Sequence, residues 1–294
     1  MEMINAGMQN RKTIFVTGVT GRQGAAVASH LARSGFAVRA MARNPSAPSL
    51  EILRQLNVKI VQADLDVPGS YTDHLKGADA VFCALTFKNG TQTETRQGTQ
   101  LADQARLQGV RHFIYSSVVG ADLQTGVPHW ESKYRIEVHL KESGMPYTIL
   151  RPSSFYENFL IPAVKKRILG GKFPSPLDRF IVQQFISTDD IGRITATILK
   201  NPGAYLNKEF AVANEQMNMD EVAQLFSECL HRPVKFQHLP SIVVRLFLGK
   251  TVYKMLRWVN SHDGIFVKDL PAFRQKFPGM VGLRDWIHIH FKEQ

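Results

Sequence analysis

Apolar runs such as FAV, AVFCAL, FIY and YTIL recur along the first half of the chain, each preceded by a polar, helix-patterned stretch that closes in glycine or asparagine. The junctions are Gly35, Asn57, Gly77, Gly109 and Gly144, within LARSGFAVRA, ILRQLNVKIVQAD, HLKGADAVFCAL, ARLQGVRHFIYSS and LKESGMPYTIL. Glycine or asparagine just after a helix supplies the left-handed residue that closes its last carbonyls. Near-continuous apolar runs are what strands buried on both faces require. With RKTIFVTG at the front, the pattern predicts six strands alternating with helices. That alternation belongs to the α/β class and specifies a Rossmann-type, doubly wound parallel sheet.

Beyond about Phe155 the pattern loosens. GGKFPSPLDRF is a loop by its Gly and Pro content. STDDIGRITATILKN reads as a helix opened by Ser187 or Thr188 ahead of two acids, which suit the positive helix end. NMDEVAQLFSECL opens another, with Asn218 as N-cap and Glu221 three residues on, a capping-box variant. SIVVRLFLGKTVYKMLRWVN reads as a single apolar helix carrying Arg245, Lys250, Lys254 and Arg257. Its interrupted apolar run favours packing on the domain, or covering a pocket, over lying on a membrane. The expected organisation is a flexible segment 1–11, a dinucleotide-binding domain 12–155 and a smaller, mainly helical substrate or partner region 156–294. Within that last region, 181–215 is expected to return to the first domain.

Composition narrows the functional classes. A formal net charge of +11 over 294 residues raises nucleic acid as a partner. The densest basic cluster is only Lys165-Lys166-Arg167, so a phosphate-binding pocket plus generic surface charge is preferred over direct nucleic-acid binding. Cys83 and Cys229 have no metal-ligand spacing, which predicts buried, reduced, structural thiols and no metal site. The opening MEMINAGMQNRK lacks an apolar signal core, and no run approaches the roughly 18 apolar residues of a membrane span. A cytoplasmic protein is expected.

The chemistry-bearing motif comes first in the chain. IFVTGVTGRQGAAVASHLARSG places Gly18, Gly21 and Gly24, with Thr20, Arg22 and Gln23 among them, between the first strand and the first helix. Such glycines permit a tight turn, close approach of backbone to a pyrophosphate and close helix–strand packing. The helix start then offers unpaired N–H groups and the positive end of its dipole. A cofactor lacking a 2′-phosphate is usually held by an acid about 20 residues further on. Here VRAMARNPS offers Arg43, with Arg22 as a second cation, so NADP(H) is favoured over NAD(H). Asp64 and Leu65 fall where an adenine ring would lie, and Ala84, Leu85 and Thr86 end the fourth strand beside the dinucleotide crevice.

Gly18-x-x-Gly21-x-x-Gly24, Arg43-Asn44-Pro45, FIYSS, Lys133 and RPSSFYENF together resemble the NmrA-like group of atypical short-chain dehydrogenases, most strongly from Thr13 to Asn158. The resemblance implies a Rossmann domain with a small C-terminal domain and an NAD(P) site. It also implies one of two activities: a redox-responsive regulator that binds cofactor without evident turnover, or a reductase of quinones or phenolics. By the same resemblance Arg43 reads the NADP 2′-phosphate, Lys133 reaches the nicotinamide ribose, and Phe155, Tyr156, Glu157 and Asn158 border the nicotinamide. Ser116 or Ser117 falls where related reductases place a substrate-polarising hydroxyl.

One position departs from the pattern. Typical short-chain dehydrogenases carry, four residues before the lysine, a tyrosine that donates the proton; this chain has His129. Positions 129 and 133 share a helix face, so the geometry survives while the chemistry changes. His129 is either an alternative acid, since imidazole titrates near neutrality, or a surface histidine at a helix start. Lys133 likewise has an alternative role as an exposed i,i+4 partner of Glu137. The expected function is an NADP(H)-dependent sensor of redox state that signals to a protein partner. The alternative is an NADPH-dependent reductase of a small hydrophobic quinone, enone or carbonyl.

Overall fold

The computed structural model describes residues 11–292; the segment expected to be flexible, 1–11, lies outside them except for Arg11. The chain divides into two compact units. The first runs through Val118 and adds Ser132–Arg151 and Thr188–Phe210; the second takes Val119–Glu131, Pro152–Ser187 and everything from Ala211 on.

The first unit is built on β1 (Thr13–Val16), α1 (Arg22–Arg33), β2 (Ala37–Ala42), α2 (Glu51–Gln55), β3 (Lys59–Gln62), α3 (Thr72–Leu75), β4 (Ala80–Ala84), α4 (Thr91–Leu107), β5 (Phe113–Ser116), α5 (Pro128–Glu142) and β6 (Tyr147–Pro152). The strands form one sheet in the order β10-β6-β5-β4-β1-β2-β3, where β10 is Lys208–Val212. The pairs from β3 across to β6 are parallel. β10 is a seventh strand that the sequence pattern did not predict, because KEFAV is short and carries two charges. Gly35, Asn57, Gly77, Gly109 and Gly144 all adopt positive φ, from 56° to 87°, as helix-closing residues should.

Two glycines set how closely the helices pack. A Cβ on Gly98 of α4 would fall 2.6 Å from Ile136 Cδ1 of α5, so glycine lets these helices approach without displacing that side chain. A Cβ on Gly192 would lie 2.7 Å from the His30 ring and 2.8 Å from the Ala26 carbonyl oxygen, so α1 and α7 (Thr188–Lys200) meet equally closely. There His30 Nε2 lies 2.7 Å from the Asp189 carboxylate, whose pKa is lowered chiefly by that hydrogen bond.

The second unit holds β7 (Ser154–Phe155), α6 (Pro162–Leu169), β8 (Lys172–Ser175), β9 (Val182–Ile186), β11 (Glu215–Asn218), α8 (Met219–Cys229), β12 (Lys235–His238), α9 (Ser241–His262), α10 (Leu270–Lys276) and α11 (Leu283–His290). Its strands form two small sheets, β11-β9-β7 and β12-β8. Asn218 and Glu221 make the expected reciprocal cap of α8, with hydrogen bonds of 2.7 and 2.9 Å. An aromatic core of Tyr156, Phe159, Phe173, Phe185, Phe226 and Trp286 fills the unit. The segment expected to be one apolar helix is broken: Gly249 sits at φ 82°, ψ 167° inside α9. Among the described residues no helix is long and apolar enough to cross a membrane, and no side-chain group is arranged to hold a metal ion.

Candidate functional site

In the first unit the predicted residues gather at the C-terminal ends of five adjacent strands, the edge at which open α/β sheets bind ligands. The strand order reverses direction between β1 and β4, and the glycine loop sits there. Gly18 takes φ 68°, and the Gly21 N–H returns to its carbonyl at 2.9 Å, closing the turn. A Cβ on Gly24 would lie 2.6 Å from the Thr17 carbonyl oxygen and closer still to the Gly18 carbonyl, so the first turn of α1 rests directly on the loop. That helix has no capping side chain and no acid in its first turn. Its N-terminal N–H groups and dipole are therefore uncompensated from within, the arrangement that suits a phosphate.

Two side chains fix the loop, and one of them was missed in the sequence. Thr17 Oγ1 donates to the Ala84 carbonyl and accepts from the Ala84 N–H, both at 3.0 Å, extending the contact of β1 with β4 past the end of the ladder. Gln23 Nε2 donates to Ser116 Oγ at 2.6 Å and ties the helix start to the end of β5. This separates the two serine candidates. Ser116 is engaged by Gln23, whereas the buried Ser117 hydroxyl has no partner among the described residues.

Arg43 follows β2 directly and is exposed. Asp66, nearby, has its pKa lowered by hydrogen bonds from Gln97 and Arg96, and the charge of Arg43 acts in the same direction. Asp64 at the end of β3 accepts the Asp66 N–H at 3.0 Å. Leu65 and Leu85 pack on the core, and Thr86 caps a short turn by accepting the Lys88 N–H.

Lys133 contradicts the exposed alternative. It is 8% exposed, and its Nζ lies 2.9 Å from Glu94 Oε1 of α4 and 5.7 Å from the centre of the Tyr115 ring. The second oxygen of Glu94, a residue with 0% exposure, accepts the Ser132 hydroxyl at 2.6 Å. Glu137, the i,i+4 neighbour, is instead buried against Arg151, at 2.6 and 3.0 Å. Gly98 explains the pairing: by letting α4 and α5 touch at Ile136, it brings Glu94, one turn earlier on α4, level with Ser132 and Lys133. Glu94 was invisible in the sequence because 39 positions separate it from Lys133. The isolated glycine inside a helix was the available signal of close packing. Burial pushes Cys83, in the field of the same lysine, up to about 12 and raises Tyr115 well above the usual phenol range, so neither ionises near neutrality.

His129 is not a surface residue either. It is 5% exposed in the first turn of α5, one turn before Lys133. In the second unit Phe155 belongs to β7, paired with Ile186 of β9. Tyr156 is fully buried, with its hydroxyl on Glu215 Oε2 at 2.8 Å and its ring beside Trp286, so its side chain serves the core. Glu157 is buried; Asn158 is exposed and reaches Ser154 Oγ at 3.5 Å.

Comparison with known proteins fits this architecture. The family model described as the NmrA-like family matches residues 10–267. Nitrogen metabolite repression protein nmrA of Emericella nidulans is 28% identical over 252 residues, which cover 81% of this chain and 71% of that protein. An NAD(P)H azoreductase of Xenophilus azovorans is 29% identical over 231 residues, 76% of each chain. Among solved structures, the NADPH-dependent quinone oxidoreductase QOR2 of Escherichia coli, complexed with NADPH, superposes with a TM-score of 0.79 at 21% identity. The match covers 95% of this chain and 100% of that one, a likeness of fold. With a family model spanning most of its length, the chain belongs to the NmrA-like family.

Proposed function

We propose that the chain binds NADP(H) in the first unit and that its cofactor state, rather than turnover, is the signal it delivers. The observation that carries the binding is the glycine loop, where Gly24 leaves no room for a side chain and α1 begins without a cap or an acid. The residues present fit the cofactor: the N–H groups at the start of α1, with Thr20, Arg22 and Gln23, would hold the pyrophosphate, and Arg43 the 2′-phosphate. Asp64 and Leu65 would flank the adenine, and Ala84, Leu85, Thr86 and Lys133 would line the path of the dinucleotide. A reduced nicotinamide supplies a hydride when bound. What this chain lacks is the tyrosine that would supply the matching proton. Its lysine is neutralised by Glu94, whereas the usual role of such a lysine is to lower the pKa of that tyrosine.

Isothermal titration with NADPH and NADH tests the binding. The expected result is tighter binding of NADPH, lost by roughly ten- to a hundredfold in Arg43→Ala, with NADH unchanged. Equal affinity of the native chain for both cofactors overturns the assignment of Arg43. Gly24→Ala is expected to abolish binding of both, because the loop backbone itself must move. A sensor further requires a partner protein whose affinity differs between the NADP⁺ and NADPH forms; identical affinity in every cofactor state rules it out.

The second reading, an NADPH-dependent reductase of a small quinone, enone or carbonyl, is favoured by the burial of His129 one turn before Lys133, where it could hold a proton out of bulk water. The azoreductase and quinone oxidoreductase among the relatives support it. NADPH consumption across a quinone and enone panel, lost in His129→Phe, would establish this reading; silence across the panel retires it.

A further inference from the structure

The second unit contains a cavity of about 520 Å³, walled by the Thr125–Val127 loop and by α9. That volume falls inside the range of about 300–1,000 Å³ typical of small-molecule sites. Arg245, Lys250, Lys254 and Arg257 all line it, with Tyr253 and Trp258 between them, and among the described residues no carboxylate does. Among the described residues, none of these four cations has an ion-pair partner. Elsewhere the chain pairs its cations freely, as Arg54 with Glu51, Arg96 with Asp66 and Arg284 with Glu228. Four uncompensated charges facing one volume repel each other, and an anion in that volume relieves the repulsion.

The convergence is constructed by the backbone. Lys250, Lys254 and Arg257 follow at spacings of four and three and form one stripe of helix. On a straight helix Arg245, nine positions before Lys254, would point to roughly the opposite side. The helix is not straight: Gly249, at φ 82° and ψ 167°, bends it and returns Arg245 to the same wall.

The apolar side of the cavity is equally fixed. Trp258 stacks on His262 at 4.4 Å with an interplanar angle of 5°, and meets Trp130 edge-on at 5.2 Å. Trp130 is in turn packed so tightly on Gly120 that a Cβ there would lie 2.7 Å from its ring. The Glu131 carboxylate accepts the Gly126 N–H at 3.0 Å and holds the facing loop. Aromatic rings interleaved on the same helix with converging ammonium and guanidinium groups favour a flat body carrying negative charge. A nucleic acid would instead need cations spread along an open track.

We propose that this cavity is a binding site for a planar organic anion, a small aromatic sulfonate, carboxylate or phosphate. The site goes beyond the cofactor reading and does not depend on it. Calorimetry on the full chain with anthraquinone monosulfonate and its uncharged hydroxymethyl analogue tests the proposal. One sulfonate is expected per chain, bound at least about tenfold more tightly than the neutral quinone. Lys254→Gln and Arg257→Gln, at exposed positions, should each weaken the sulfonate by roughly three- to tenfold; the double variant should bring it level with the neutral compound. Gly249→Ala keeps every charge but forbids the bend, so it should weaken the sulfonate while leaving the net charge unchanged. Equal affinity for the two quinones, an unaffected double variant, or no binding of the sulfonate overturns the proposal. So does competitive displacement of the sulfonate by NADPH, which would make the cavity part of the dinucleotide site, or by duplex DNA with steep salt dependence. Consumption of NADPH by the bound quinone identifies the anion as a substrate, and binding without consumption as an effector; both uphold the site.

Discussion

Lys133 in the first unit and Lys254 in the second carry the same ammonium group in opposite settings. Lys133 is buried on α5, and its charge is answered by the equally buried Glu94. Lys254 is exposed on α9 beside three other cations, and among the described residues no carboxylate lines the cavity they share. The first unit treats each buried ionisable group in one of two ways. Some are paired, as Lys133 with Glu94 and Arg151 with Glu137 and Glu209. Others are kept neutral, as His112 is. Charge there serves position, whereas charge around the α9 cavity is left over, and leftover charge is what a ligand can use.

The largest effect is expected from removing one partner of a buried pair. Glu94→Ala should lower the unfolding free energy by about 3–5 kcal/mol in urea denaturation, because the Lys133 ammonium is left buried without its counter-charge. Replacing both with apolar residues should recover most of that loss. A single-variant loss below about 1 kcal/mol would mean the pair is effectively solvated, and the contrast with Lys254 would collapse.

Acid probes the neutral half of the scheme. Thr148 Oγ1 donates to the Tyr205 carbonyl at 2.7 Å, so it accepts from His112 Nε2–H at 2.8 Å. That places the lone pair of His112 on Nδ1, a buried atom with no partner among the described residues. Burial, aided by the charge of Lys12, depresses its pKa from 6.5 to about 4. Between those values the unfolded chain binds the proton and the native chain does not, so stability rises with pH across the window. The contribution is complete above about pH 6.5 and is lost as pH falls to about 4, in total roughly 3 kcal/mol. Stability measured from pH 7 downwards should show this slope in the native chain and not in His112→Gln.

The smallest effect is expected at the cavity. Lys254→Gln and Arg257→Gln should leave folding stability within about 0.5 kcal/mol of the native chain, or raise it slightly by relieving repulsion. A loss of several kcal/mol by thermal melting would show that these side chains support the fold, and would weaken the reading of their charge as functional.

The sheet and its glycine loop were legible in the sequence because both are local. A helix-closing Gly or Asn and the apolar run after it lie within a few residues, and Gly18, Gly21 and Gly24 fall in one turn. What escaped was either non-local or hidden by averaging. Lys133 sat beside Glu137 in sequence, but its partner Glu94 comes from another helix through the contact at Gly98. The surface alternatives for His129 and Lys133 failed for the same reason: a polar stretch reads as surface until one knows what packs on it. The segment around α9 read as a continuous helix because a lone glycine is tolerated in one. Only its backbone angles show that Gly249 bends the segment and that Arg245 joins the other cations.

Thr17 carries a consequence for kinetics. Its one hydroxyl satisfies both the N–H and the carbonyl of Ala84, so β1 and β4 are clasped beyond the last rung that backbone alone provides. A floor clasped in this way needs no opening step before a cofactor enters. Rapid mixing with NADPH should give a single exponential whose rate climbs linearly with cofactor concentration, with no slower phase of opening. In Thr17→Val, which keeps the shape and removes the clasp, association should slow and a second phase should emerge.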